Sequence, residues 1–126
     1  MWIRGAFLAV GLALAMVAPT TPVQAQEVSF DITNDHGQDI QIEFYSEDRN
    51  HAWPGGGKAY NLPRARQDKW TLSCRRGEKI CYGAWVKGAA QTYWGVGPNR
   101  KYSCETCCVT CTGGTLARTL TPPRGR

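Results

Sequence analysis

The chain has 126 residues, of which 42% are hydrophobic and 20% charged; 15 basic against 10 acidic side chains give a net charge of +5, and there are six cysteines. This is one domain's worth of chain, and no segment is low-complexity. A domain of this size buries only about 60–65% of its unfolded surface, so its core needs reinforcement.

The N-terminus reads as a secretory signal peptide. Arg4 gives a basic start, Ala6 to Ala18 form an apolar run of 13 residues, and Val23-Gln24-Ala25 supplies the small-x-small cleavage pattern. Cleavage after Ala25 leaves Gln26 as the first mature residue. The competing reading, a membrane anchor, asks for about 20 apolar residues. No later stretch is apolar enough to span a bilayer, so the mature chain is expected to be secreted or periplasmic, without stable membrane insertion.

Residues 26–121 are expected to form a single β-rich domain, with 122–126 a loose tail. Val28, Phe30 and Ile32 alternate with polar residues, and so do Ile40, Ile42 and Phe44. With the turn residues Asn34 and Gly37 between them, the two runs predict a β-hairpin with one apolar face. Asp31, Asn34, Asp35 and Asp39 bring oxygens to that turn. Ile32 stands where a calcium loop centred on Gly37 would need an acid, so no metal site is assigned.

Residues 46–58, SEDRNHAWPGGGK, have no periodicity and predict a loop. Ser46, His51 and nearby acids lie too close in sequence for a catalytic relay, and no serine elbow is present. Lys58 is followed by Ala59, which breaks the phosphate-loop pattern. The chain is therefore expected not to be an enzyme, and no catalytic residue or cofactor is assigned. Trp53 in this loop has no evident core to enter. With Arg49, His51 and Lys58, and with Trp85 and Trp94 if the strands bring them together, it forms the candidate binding surface for a protein or carbohydrate partner.

Trp70, Leu72 and Cys74 alternate as a third strand, residues 80–86 and 91–97 read as two more, and 115–121 as a last one. Short strands with regular turns predict an all-β fold, a small antiparallel β-sandwich or small barrel.

All six cysteines, Cys74, Cys81, Cys104, Cys107, Cys108 and Cys111, lie in the mature chain. In an exported small domain an even count predicts three structural disulfides. The alternative is a small exported redox or metal-binding protein using the CETCCVTC cluster. Cys74 and Cys81 either face each other across the CRRGEKIC turn or each reach into the cluster. Adjacent Cys107 and Cys108 need different partners, because a bond between them would strain their shared peptide.

Between Gln26 and Asp48 there are seven acidic and no basic residues; from Arg49 onward there are 14 basic and three acidic. Pairing across neighbouring strands explains this polarity better than an anionic partner. The basic residues are scattered, so no nucleic-acid partner is expected. The runs FDITND…IQIEFYS and TLARTL after the cysteine cluster loosely resemble the thaumatin-like architecture, although six cysteines are too few for that family's framework. The resemblance implies a β-sandwich and adds no function.

Overall fold

The computed structural model describes residues 5, 9–17 and 26–122. Of the predicted signal peptide, only residues 5 and 9–17 fall among these. The predicted cleavage site and residues 123–126 of the tail lie outside them. Residues 9–17 have neither helix nor strand, and Val10, Leu12, Leu14, Met16 and Val17 are 81–96% exposed.

The rest is β-structure. The strands are β1 (Gln26–Asn34), β2 (Ile40–Ser46), β3 (Ala52–Trp53), β4 (Tyr60–Leu62), β5 (Gln67–Cys74), β6 (Lys79–Val86), β7 (Ala89–Gly95), β8 (Cys108–Thr110) and β9 (Thr115–Leu120), with one 3-10 turn at Pro98–Arg100. One sheet has the order β5-β1-β9. The other is centred on β2 and β6; β3 and β4 follow one another along the free edge of β2, and β7 and β8 along that of β6. The sheets share no ladder, so the fold is a sandwich and not a closed barrel. Every pairing is antiparallel except β1 with β9, which runs parallel.

The expected hairpin does not form. β1 pairs with β5 and β9, and β2 pairs with β3, β4 and β6. The chain between them is an arch from one sheet to the other, and the two apolar faces meet instead of lying side by side. Phe30 and Phe44 touch at 4.6 Å between ring centroids. Asn34 makes the arch possible. It is fully buried; its amide nitrogen donates to the carbonyls of Gln38 and Leu62, and its side-chain oxygen accepts from the amide of His36. Asn34 thus keeps the turn-forming bond expected of it, to the amide two residues on, but does so as a fully buried brace.

Val28, Phe30, Ile32 and Leu72 from the first sheet interleave with Ile40, Ile42, Phe44, Ile80, Tyr82 and Ala84 from the second. Burying each large side chain contributes about 2 kcal/mol. A smaller cluster of Tyr45, Cys81 and Val96 lies on the far side of the second sheet, beneath the chain that follows β7. That chain passes so close to β6 that a Cβ on Gly83 would collide with the carbonyl of Gly97.

Three disulfides staple the sandwich: Cys74–Cys111, Cys81–Cys108 and Cys104–Cys107. Cys74 and Cys81 therefore each reach into the cluster, and Cys107 and Cys108 have different partners. All six sulfurs are paired.

Candidate functional site

The predicted 46–58 loop is held far more firmly than its composition implies. Ser46, the last residue of β2, is fully buried, and its Oγ accepts from the amides of Asp48 and Arg49. The same Oγ donates to Glu78 Oε2 at 2.6 Å. Arg49 grips that carboxylate with both arms of its guanidinium, Nε to Oε2 at 2.5 Å and Nη2 to Oε1 at 3.1 Å. The amide of Arg75 supplies a further donor at 3.0 Å. Glu78 is only 3% exposed. Burial alone pushes its carboxyl up, but Arg49, Ser46 and the Arg75 amide together prevail and hold it down at about 2.

The turn that carries Glu78 is itself anchored. The amide of Gly77 donates to the carbonyl of Cys111, the amide of Cys111 donates to that of Glu78, and Cys74–Cys111 ties the same two segments covalently. A chain of constraints thus runs from a disulfide through Glu78 to Arg49.

Arg49 passes that order to Trp53. β3 sets Trp53 opposite Phe44, which turns the half-buried indole towards the core edge. His51 meets the indole edge-on at 4.5 Å, and the Arg49 guanidinium lies 5.7 Å from the ring centroid, within cation–π range. Arg49, His51 and Trp53 therefore form one aromatic and cationic shelf. Beside it, a cleft of about 230 Å³ is lined by Asp48, Arg49, Arg75, Arg76, Gly77 and Glu78. Lys58 is exposed in the glycine turn, where its amide donates to Gly55.

The two other tryptophans do not join this shelf. Trp85 stands on the outer face of the second sheet, where Nε1 donates to Gln41 at 3.1 Å. Its strand partner Tyr93 is 37% exposed and stacks flat on Tyr102, with ring centroids 3.7 Å apart. Trp94 points to the other face, packs on the core, and donates from Nε1 to the carbonyl of Thr121. A single surface of all six predicted residues is not formed, because alternation sends neighbouring side chains to opposite faces of a sheet.

Sequence reasoning missed Ser46, Glu78, Arg75 and Arg76. Residues 75–79 read only as a turn, and nothing in their spacing signals that Glu78 folds back under Arg49. Charge cancellation is likewise limited: among the described residues the ion pairs are Arg49–Glu78 and Arg100–Glu47. No group of three His, Cys, Asp or Glu side chains among them is arranged to hold a metal ion.

These features define a class, a small two-sheet β-domain stapled by three disulfides. Comparison with protein-family models, with characterised proteins and with solved structures finds no match to this chain.

Proposed function

We propose that the protein is an exported, non-enzymatic binding domain whose partner docks on the shelf of Arg49, His51 and Trp53, with Lys58 and the arginines of the adjoining cleft at its rim. Export is supported by the signal-peptide pattern, by apolar side chains at 10–17 that have no place in the sandwich, and by three disulfides, which persist in oxidising compartments. No helix among the described residues is long and apolar enough to cross a membrane.

The observation that carries the binding role is Arg49 held over Trp53 by a buried carboxylate. Pre-ordering a tryptophan and an arginine at the surface removes part of the entropy that docking would otherwise cost. These two residue types dominate protein-interface hot spots. Arg49 also occupies one face of the indole, which a stacked sugar would need, so a protein partner is favoured over a glycan.

A photo-crosslinking amino acid at exposed Asn50, with Thr71 on the opposite sheet as control, tests this in the secreting cells. The proposal predicts a discrete adduct from position 50 that Trp53→Ala removes. No adduct, equal adducts from both positions, or an adduct indifferent to Trp53→Ala would refute it.

A further inference from the structure

We propose that Cys104–Cys107 is a thiol-exchange site, opened by a small thiol and reclosed by the corresponding disulfide while the sandwich stays folded. The proposal is independent of the Trp53 shelf. Of the three bridges, Cys74–Cys111 and Cys81–Cys108 join residues 37 and 27 positions apart, whereas Cys104 and Cys107 are only 3 apart. Closing so short a loop removes little freedom from the chain, so opening it releases little.

The surroundings divide the two sulfurs by role. Cys107 is 3% exposed within the main core, and its carbonyl accepts from the amide of Tyr82. Its neighbour Cys108, half-buried on the same cleft, is fixed in β8 and bonded to Cys81 across the ladder, so it is held by the sheet as well as by its bridge. Cys104 is half-buried, between exposed Ser103 and Glu105, and borders a cleft of about 380 Å³. Cys104 also packs against both core clusters, yet it is the sulfur on the cleft side of the bridge, while Cys107 stays enclosed. At the other end of the loop, Arg118 Nη2 donates to the carbonyl of Thr106 at 2.7 Å.

The cleft is large enough for a small thiol. Arg100 is paired with Glu47, which leaves Lys79 and Lys101 against Glu105, an excess of one positive charge that favours an incoming thiolate. The incoming thiolate attacks Cys104 Sγ; the S–S bond breaks and its electron pair leaves on Cys107, which takes up a proton. A second thiol, as thiolate, then attacks the added sulfur and releases Cys104. Two thiols are oxidised to one disulfide, and one protein disulfide is reduced to two thiols.

Glutathione buffers of rising reduced-to-oxidised ratio, followed by alkylation and peptide mapping, test the site in the mature oxidised protein. Label is expected on Cys104 and Cys107 at a ratio about tenfold lower than on any other cysteine, with circular dichroism unchanged and reversal on adding oxidised glutathione. Another bridge opening first, or all six thiols appearing together with loss of the spectrum, would overturn the proposal. In single variants, Cys104 of Cys107→Ser should form the glutathione adduct about tenfold faster than Cys107 of Cys104→Ser; equal or reversed rates would also overturn it.

Discussion

Glu78 shows how much one residue governs here. Its carboxyl lies at about 2 in the folded protein, below its ordinary 4.5. A group depressed on folding contributes stability above its unfolded value and loses it as pH falls through the folded one. The network is therefore worth its full amount above roughly pH 5 and fades between there and pH 2. Glu78→Gln should cost about 2 kcal/mol at neutral pH, because Arg49 and Ser46 lose a charged acceptor. The variant should also show a flatter acid limb in urea unfolding from pH 5 to pH 2; a limb as steep as the wild type's would remove Glu78 from this role. None of this is readable from CRRGEKIC, where Glu78 has the character of any turn residue. Trp53 reads as a loop residue with no core to enter; instead β3 pairs it with Phe44 and packs the half-buried indole against the core edge, a placement two strand residues are too few to signal. That Arg49 and His51 touch Trp53 follows from sequence proximity, because short loops keep sequence neighbours together. Trp85 and Trp94 were legible as tryptophans on strands but not by destination, which depends on which face the chain after β7 covers.

Among the elements, β1 and β2 carry the clearest lesson. Period-two alternation identified both strands, because each buries one face. It says nothing about whether two such strands lie side by side or face to face. The arch is braced by Asn34, whose side chain satisfies two of its backbone groups, the His36 amide and the Gln38 carbonyl, and ties it to the Leu62 carbonyl of β4. Asn34→Ala leaves two carbonyls and one amide without that partner, so thermal or urea unfolding should register a loss of about 2–4 kcal/mol. A loss below about 0.5 kcal/mol, the range of an ordinary surface substitution, would mean that the arch holds without it. The shortest strands, β3, β4 and β8, were not legible. With two or three residues each they have no period to detect and exist because β2 and β6 offer edges to pair with. β9 was read as a strand from TLARTL, but its parallel pairing with β1 follows from the chain crossing the sandwich after the cysteine cluster.

At the scale of the whole molecule, two sheets and three disulfides share the work of holding a small core. Fold class and the oxidised state of the cysteines were legible because they were read from strand periodicity, an even cysteine count and the expectation of export. Connectivity was not, since it depends on which sheet edges the segment 104–111 crosses. Charge polarity was visible along the chain, yet among the described residues only Arg49–Glu78 and Arg100–Glu47 form ion pairs. Of the basic side chains, Arg75 and Arg76 line the cleft beside the Trp53 shelf, whereas Lys79, Arg100 and Lys101 line a separate one. The proposed binding role of the shelf and the proposed exchange at Cys104–Cys107 both rest on a chain that is exported and fully oxidised. Intact-mass measurement of the protein recovered outside the producing cytoplasm, under native and denaturing conditions without reductant, tests that requirement most directly. The predicted species begins at Gln26, lacks six hydrogens relative to the reduced chain and carries no metal. A species that retains residues 1–25, or that has free thiols or a bound metal ion, would contradict it.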